Sequence, residues 1–332
     1  MKTIPLLKPL ADDLERVERR MREALHPDYP QLADLLQSLL DSGGKRMRPA
    51  LALLAGRLYA RRIDREKLIS LAAAVEMLHT ATLVHDDLID GALLRRGKTT
   101  LNARWNTGAT VLAGDYLFAL AASLAAATGN VRVMDIFAET LMTICSGELR
   151  QIFDRGELPR LTDEAAWAEA LERYDRRIHA KTASLFAAAT EAAAVLGGAP
   201  EEQTIALRDY GRFLGTGFQI IDDVLDFRGE EAVVGKPVGS DLREGIVTLP
   251  VLYFLRDHPD DTRIAQVVGG DGDDALVREV VAAIRESGAV ERSLSRAREF
   301  ITRAQETLAA LPPGEARDLM HDLADYAIAR DK

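Results

Sequence analysis

The sequence contains a single cysteine, Cys145, among its 332 residues. One cysteine excludes an internal disulfide and a zinc site built from cysteines. Hydrophobic residues, in contrast, make up 47% of the chain. That content is ample for a large packed core, in one big domain or two ordinary ones.

Positive charge is scarce relative to negative charge. The formal net charge is −10 and the pI is about 5.2. Proteins that bind nucleic acid need a basic surface, so we expect no nucleic-acid partner. The same balance disfavours the binding of anions, unless metal ions or a local basic cluster reverse the sign of the charge.

Long apolar runs are missing as well. The N-terminal segment "MKTIPLLKPLADDLERVERR" is interrupted by Pro5, Lys8 and Pro9, which is not typical of a signal peptide. A membrane-spanning helix needs about 18 consecutive apolar residues, and the sequence contains no such run. We therefore expect no membrane span and a cytoplasmic location.

Alternating strand patterns of useful length are also missing, whereas Ala, Leu, Glu and Arg dominate long segments separated by turn signals. Thr162 is the expected cap of one helix, and Gly197 and Gly198 mark its end. We predict one all-α domain, residues 1–332, with near-parallel helices. The predicted helices span 9–25, 30–41, 47–60, 64–91, 107–128, 131–153, 163–196, 201–228, 244–257, 274–287, 289–310 and 313–330.

Two acidic clusters stand at the ends of apolar segments, "TLVHDDLID" (82–90) and "FQIIDDVLD" (218–226). On a helix, the first and last aspartates of each cluster point the same way, with the middle one beside them. One such D-D-x-x-D pattern arises by chance in about one chain in five of this composition, as a solvated acidic face. Two copies in apolar helices indicate Mg²⁺ binding, because grouped carboxylates repel each other unless cations neutralise them. The aspartates are Asp86, Asp87, Asp90, Asp222, Asp223 and Asp226.

Four short basic segments complement the acidic clusters. They are "GGKRMRP" (43–49), "RRGK" (95–98), "AKTAS" (180–184) and "GKP" (235–237). Each alone is ordinary surface charge, but together they fit diphosphate groups bound by metal on one side and by Lys or Arg on the other. The polar residues concerned are Lys45, Arg46, Arg48, Arg95, Arg96, Lys181, Thr182 and Lys236.

His79 precedes Asp86 by seven residues, so the two lie on nearly the same helix face. A lone histidine is more often a packed core residue. Because it is aligned with the acidic face, contact with a ligand is as good an interpretation as packing in the core, and the sequence does not decide between the two.

These motifs, in this order, make the sequence similar to the trans-isoprenyl diphosphate synthases, the polyprenyl synthetase family, over nearly the whole chain. The motifs are "GGKRMRP", "EMLHTATLVHDDLIDGALLRRG", "AKTASLF", "GTGFQIIDDVLDF" and "VGKPVGSDLREGIVTLP". The resemblance implies the isoprenoid synthase fold, a bundle of about 12 helices around a central cavity, usually as a homodimer. It also implies three Mg²⁺ ions that bridge the aspartates and an allylic diphosphate.

The resemblance further implies roles for individual residues. Asp86, Asp90 and Asp222 would be the main metal ligands, and Asp87, Asp223 and Asp226 would support them. The allylic diphosphate would be faced by Arg95, Lys181, Gln219 and Lys236, and Thr182 would be a further substrate-binding residue. The diphosphate of isopentenyl diphosphate would be held by Lys45, Arg48, His79 and Arg96. Many family members have lysine at Ile246, so one cationic contact to the allylic diphosphate would be missing.

The reaction implied is condensation of isopentenyl diphosphate with geranyl, farnesyl or geranylgeranyl diphosphate. The departing diphosphate would take up the proton, so the protein needs no dedicated base. A terpene cyclase is the first rival, but it usually has an Asn/Ser/Glu-type second metal motif. A non-catalytic subunit of a heteromeric synthase is the second rival. Such subunits tend to lose aspartate motifs, and both are intact here.

Small residues before the first cluster suggest a long product. In the family, the position five before the first aspartate helps to set chain length, and short-chain enzymes commonly have a bulky aromatic at or beside it. Here these positions hold Ala81 and Thr82, with Leu78 further along the stripe. One helical turn rises about 5.4 Å, close to one isoprene unit, which favours a product of about C30 to C50. The alternative is that Ala81 only permits close packing, and the product is farnesyl or geranylgeranyl diphosphate.

Overall fold

The computed structural model describes residues 4–26, 29–41, 43–95, 97–228 and 238–329, and within these ranges the regular structure is almost entirely helical. Short 3₁₀ helices span Pro5–Leu10 and Leu308–Ala310, and a two-stranded antiparallel hairpin is formed by β1 (Leu94–Arg95) and β2 (Lys98–Thr99). The all-α prediction is confirmed. The α-helices are α1 (Ala11–Ala24), α2 (Pro30–Leu40), α3 (Met47–Arg57), α4 (Arg65–Ile89), α5 (Thr107–Ala126), α6 (Val131–Asp154), α7 (Glu164–Ile178), α8 (Ser184–Leu196), α9 (Glu201–Arg228), α10 (Ser240–Arg243), α11 (Leu249–Asp257), α12 (Arg263–Val268), α13 (Asp274–Glu286), α14 (Ala289–Thr307) and α15 (Glu315–Ile328).

The predicted helix 163–196 exists, but it contains a wide turn and its cap is one residue later than expected. Residues His179–Ala183 form a π-helical turn between α7 and α8, called the π-turn below. Asp163, rather than Thr162, caps α7, because its extended backbone lets the carboxylate accept from the Ala166 N–H at 2.8 Å. The C-terminal end is as predicted, with Gly198 at φ +62°.

The chain packs into two compact units, each made of several segments. The first unit contains residues 1–140, 185–211 and 307–323, and the second contains 141–184, 212–306 and 324–332. The single domain over 1–332 therefore stays a prediction, as does the central cavity.

Within the first unit, α4 packs against α1, α3 and α5. Its residues from Leu68 to Leu78 are all buried, which explains why this stretch is apolar apart from Ser70 and Glu76. Gly114 of α5 permits the close approach of α4, because a Cβ at that position would lie 2.4 Å from Nε2 of His85. The end of α4 that carries the first acidic cluster is thus fixed against α5.

The second unit has its own core, to which α7, α9, α11, α13 and α14 contribute. Its members include Trp167, Tyr174, Ile221, Phe227, Leu249 and Ile284. Gly217 lets α9 approach α14 closely, since a Cβ there would lie 2.9 Å from Cδ1 of Ile301. The part of α9 that bears the second acidic cluster is therefore packed on its apolar face.

Two helices, α4 and α5, are long and apolar enough to cross a membrane by length and composition. The most apolar window of α4 is 72% buried and that of α5 is 39% buried. A buried core helix of a soluble protein passes the same test, so packing in the core explains the apolar composition of α4. The absence of a membrane span and the cytoplasmic location remain predictions.

Candidate active site

The first acidic cluster occupies the last turn of α4, where the helix ends at Asp90. Asp87 is buried, Asp86 is half-buried and Asp90 is exposed. The C-terminal end of a helix carries partial negative charge from its unpaired carbonyls, so three carboxylates there are unfavourable without cations. The fold therefore places the cluster where a bound cation relieves both sources of negative charge.

Arg95 is brought back to this cluster by the β1–β2 hairpin. Its Nε donates to Oδ1 of Asp87 at 2.6 Å. The hairpin turn is made possible by Gly97 at φ +75°, and Thr100 secures its return by donating to the carbonyl of Ala92 at 2.6 Å. Arg95 thus lies beside Asp87, and its role at the allylic diphosphate stays a prediction. Arg96 lies outside the described residues.

His85, directly before Asp86, is a positioning contact that the sequence reasoning missed. Its ring lies 5.0 Å from that of Phe118, and its Nε2 lies 3.3 Å from the carbonyl oxygen of Val111. The available signal was Gly114, a glycine inside an apolar helix, where glycine costs about 1 kcal/mol relative to alanine and usually has a packing reason.

The basic segment 43–49 separates into structural and accessible cations. Arg46 is 6% exposed and pairs with Oε1 of Glu76 at 2.6 Å, and its φ of +51° lets the chain turn into α3. Lys45 on one side of it is exposed. Arg48 on the other side is half-buried, with its guanidinium 4.9 Å from the ring centre of Phe186. Lys45 and Arg48, two of the residues predicted to bind isopentenyl diphosphate, therefore lie on either side of the anchored Arg46 at the start of α3.

The residues predicted to set chain length lie in the buried part of α4. Leu78 and Ala81 are fully buried, and Thr82 is half-buried with its hydroxyl donating to the His79 carbonyl at 2.8 Å. His79 itself is half-buried. The placement of these side chains leaves their predicted roles in product length and ligand contact as predictions.

In the second unit, the π-turn presents Lys181 and Thr182. Lys181 is half-buried, with Nζ 3.4 Å from Oε1 of Glu148 on α6. A Cβ at Gly147 would lie 2.4 Å from the Cβ of Ala180, so this glycine allows α6 to approach the turn. Glu148 is a second residue that the sequence reasoning missed, because nothing in the local pattern links it to Lys181.

The second acidic cluster is bonded to the same turn. The Thr182 hydroxyl donates to Oε1 of Gln219 at 2.5 Å, and Nε2 of Gln219 donates to Oδ1 of Asp223 at 2.9 Å. Tyr174 donates to Oδ2 of the same carboxylate at 2.8 Å. Gln219 and Thr182, both predicted as substrate-binding residues, thus also support Asp223.

Burial raises the pKa of Asp223 to about 6. Hydrogen bonds from Gln219 and Tyr174 and the charge of Arg177 oppose this rise, and the neighbouring Asp222 adds to it. Burial, followed by the charge of Asp223, raises the pKa of Tyr174 well above its ordinary value. The Tyr174 hydroxyl therefore keeps its proton and acts as the donor.

Asp226, the last aspartate of the cluster, joins the end of α9 to the start of α10. Its carboxylate accepts from the backbone N–H and the hydroxyl of Ser240 and from the Asp241 N–H at 3.1 Å. Burial, with Asp226 as the next cause, raises the pKa of Asp241 well above its ordinary value. Lys236, in the intervening segment, lies outside the described residues, and Ile246 is half-buried.

The donor set of each cluster fits Mg²⁺. Carboxylate oxygens are its usual protein ligands, and it typically takes one or two of them together with water and substrate phosphates. Asp86, Asp90 and Asp222 are half-buried or exposed, whereas Asp87 and Asp223 are buried and hydrogen-bonded to side chains. Asp226 is half-buried too, but its carboxylate accepts hydrogen bonds from Ser240 and Asp241. Burial therefore sets Asp87 and Asp223 apart from the other four aspartates, and which of those four would bind a metal ion stays a prediction.

The chain belongs to the polyprenyl synthetase family, whose profile matches residues 29–284. It is 41% identical, over 100% of both chains, to the heptaprenyl diphosphate synthase component 2 of Geobacillus stearothermophilus. Its structure is similar to that of a decaprenyl diphosphate synthase from Rhodobacter capsulatus, with a TM-score of 0.89, 38% identity and 98% coverage of each chain.

A third similar protein is a polyprenyl synthase from Caulobacter crescentus whose crystal structure contains calcium and isoprenyl diphosphate. It has a TM-score of 0.89, 36% identity and coverage of 98% of this chain and 97% of that one. The all-α fold described above is therefore the isoprenoid synthase fold, as the sequence predicted.

Proposed function

We propose that the protein is a trans-prenyltransferase that condenses isopentenyl diphosphate with an allylic diphosphate. The product is a longer all-trans polyprenyl diphosphate, and inorganic diphosphate is released. The observation that carries the proposal is the intact pair of acidic clusters, each with basic residues from a neighbouring element. A terpene cyclase or a non-catalytic subunit would not require both clusters.

The family is Mg²⁺-dependent in general, and we propose three Mg²⁺ ions here, with Asp86, Asp90 and Asp222 as direct ligands. When bound, Mg²⁺ neutralises the charge that develops on a leaving diphosphate. Asp87 and Asp223 support the direct ligands rather than bind the metal first. The carboxylate of Asp87 is already hydrogen-bonded to Arg95, and that of Asp223 to Gln219 and Tyr174. The Caulobacter polyprenyl synthase is complexed with calcium and isoprenyl diphosphate, which supports the binding of a divalent cation and a prenyl diphosphate here.

The basic residues divide between the two substrates. Arg95, Lys181, Thr182, Gln219 and Lys236 bind and orient the allylic diphosphate, and Lys45, Arg48, His79 and Arg96 bind isopentenyl diphosphate. Cationic donors strengthen their contacts as charge moves onto the departing diphosphate, which lowers the barrier to C–O cleavage. The diphosphate then accepts the proton, so the side chains need only hold it in place.

The product is proposed to be about C30 to C50, because small residues occupy the chain-length positions and one helical turn admits roughly one isoprene unit. The relatives support this range, since their names specify heptaprenyl and decaprenyl products. Farnesyl or geranylgeranyl diphosphate is the shorter alternative.

A homodimer is proposed from an exposed apolar stripe on α6, called the α6 stripe below. Its members recur at helical spacing on one face and are exposed; they are Met142, Cys145, Leu149, Ile152 and Phe153. On α5, Leu112 is also 69% exposed. An exposed apolar helix face such as the α6 stripe is typical of a subunit interface, and a second copy is the partner that the family resemblance implies.

The test is incubation of the pure protein with Mg²⁺, farnesyl diphosphate and labelled isopentenyl diphosphate, followed by chromatography of the dephosphorylated products. We expect extended products with wild type and none with Asp222→Ala. The relative from Geobacillus is named as one component of an enzyme. Lack of any extended product from this chain alone would therefore contradict a stand-alone synthase.

A further inference from the structure

Tyr174 is a buried tyrosine whose hydroxyl points at the second acidic cluster. The side chain lies in the last turns of α7 and is 2% exposed, and its hydroxyl donates to Oδ2 of Asp223 at 2.8 Å. The guanidinium of Arg177 lies 5.4 Å from its ring centre. Burial and the contact with Arg177 therefore hold the ring so that its hydroxyl points at Asp223.

Asp223 connects this hydroxyl to the π-turn. Its second oxygen accepts from Gln219, which in turn accepts from Thr182. Three hydrogen bonds of 2.8, 2.9 and 2.5 Å thus run from Tyr174 through α9 to Thr182. Asp223 is 4% exposed, so its carboxylate depends on these protein donors rather than on solvent.

The π-turn explains why Tyr174 on α7 and Thr182 in the turn both reach side chains of α9. Tyr174 and Thr182 are eight residues apart, and in a regular α-helix they would point about 80° apart. One extra residue in a π-turn makes them equivalent to residues seven apart, which differ by about 20°. The wide turn therefore brings Tyr174 and Thr182 onto one face, toward Asp223 and Gln219.

We infer that Tyr174 is a positioning residue for the second acidic cluster, and this inference rests on the proposed function. Through Asp223 its hydroxyl sets the orientation of the helical turn that carries Asp222. Through Gln219 it links that turn to Thr182 and the adjacent Lys181. Supporting hydrogen bonds of this kind orient the residues that contact a metal ion and its diphosphate, without touching either.

The alternative is that the hydroxyl only satisfies a buried carboxylate and contributes to stability. Tyr174→Phe separates the two, because it keeps the ring and its contact with Arg177 and removes one hydrogen bond. We expect Mn²⁺, titrated in the presence of inorganic diphosphate, to bind about tenfold more weakly to this variant. Electron paramagnetic resonance of free Mn²⁺ measures this binding without any prenyl transfer.

Tyr210→Phe is the matched control. Tyr210 is likewise a buried tyrosine, but it lies on α9, and its hydroxyl donates to the carbonyl of Met320 at 2.6 Å. We expect this variant to melt at a lower temperature but to bind Mn²⁺ within about twofold of wild type. A Tyr174→Phe protein that behaves in the same way would overturn the inference.

A double-mutant cycle tests whether the effect passes through Asp223. In an Asp223→Ala background, we expect Tyr174→Phe to change Mn²⁺ affinity by less than about twofold, because the acceptor of its hydrogen bond is gone. A full tenfold loss in that background, or a wild-type protein that binds no Mn²⁺, would contradict the inference. Failure of prenyl transfer with normal Mn²⁺ binding would instead contradict the proposed function.

Discussion

Asp226 and Ser240 are joined by two hydrogen bonds, of 3.0 Å from the Ser240 backbone N–H and 2.7 Å from its hydroxyl. The two residues are fourteen positions apart, and the segment between them includes Lys236. The last aspartate of the second cluster therefore joins the end of α9 to the start of α10, in addition to any role beside a metal ion. Asp223, which accepts from Gln219 and Tyr174, and Asp226 therefore have different hydrogen-bond partners.

This relationship predicts that Ser240→Ala destabilises the protein by about 1.5 kcal/mol, the lower end for a hydrogen bond to a charged group. Urea denaturation measures the change. Ser293→Ala is the control, because the Ser293 hydroxyl donates to a neutral carbonyl, that of Ala289, at 2.8 Å. We expect a loss of about 1 kcal/mol or less for the control. Equal losses for both variants would show that the charge of Asp226 does not strengthen its hydrogen bond with Ser240.

Gly114→Ala should lower both stability and activity. The new Cβ would lie 2.4 Å from Nε2 of His85, so the ring must shift, and His85 directly precedes Asp86. Such overpacking costs about 1 to 3 kcal/mol. Gly108→Ala, in the first turn of the same helix, is the control, since its Cβ meets only Oδ1 of Asn106 at 3.6 Å. Thermal melts measure the stability of both variants, and initial rates measure their activity. An unchanged kcat for Gly114→Ala would show that the position of His85 does not affect catalysis.

Substitutions along α4 should shorten the product in steps. Ala81 is five residues before Asp86 and Leu78 is eight, a difference in rise of about 4.5 Å, close to one isoprene unit. We expect Ala81→Phe to shorten the main product and Leu78→Phe to leave it about one unit longer than that of Ala81→Phe. Chromatography of dephosphorylated products gives the lengths. Identical products from wild type and Ala81→Phe would show that Ala81 does not line the tunnel.

The pKa of Asp223, raised by burial to about 6, predicts a pH-dependent stability in metal-free protein. The folded state binds this proton more tightly than the unfolded state, whose pKa is 3.8. The charged carboxylate thus costs stability increasingly as pH rises from about 4 to about 6, and acidification through that window restores it. The fall in urea midpoint between about pH 4.5 and about pH 7 should therefore be larger in wild type than in Asp223→Asn. Parallel pH profiles would contradict the raised pKa.

A charge in the α6 stripe should dissociate the proposed dimer. Phe153 is 76% exposed and Met142 is 61% exposed, so replacing either by Lys removes little packing within the chain. We expect Phe153→Lys to sediment as a monomer at concentrations where wild type is a dimer. Arg150→Glu, on the same helix at another exposed position, is the control for a change of charge. A monomeric wild type would contradict the proposed interface.

Much of the fold could be predicted from local pattern. Long segments of helix-forming residues separated by glycine and proline define most helices, and the end of α8 at Gly197 and Gly198 follows from the conformational freedom of glycine. Thr162 was the wrong cap because Thr162 and Asp163 are both good caps, and only the backbone path decides which side chain reaches the first turn. The π-turn has no sequence signature, since it arises from what the helix packs against.

The acidic clusters and the basic segments were evident from residue type and spacing, because a helix fixes which neighbours share a face. That one-dimensional information identified Asp86, Asp90 and Asp222 as candidates and indicated Mg²⁺ and diphosphate chemistry. Tertiary structure alone decided which carboxylates are already bonded to protein groups. Arg95 reaches Asp87 through a hairpin, Tyr174 reaches Asp223 from another helix, and Ser240 reaches Asp226 from the start of α10. These partners are distant in sequence, and only packing of the folded chain brings their donors within hydrogen-bonding distance.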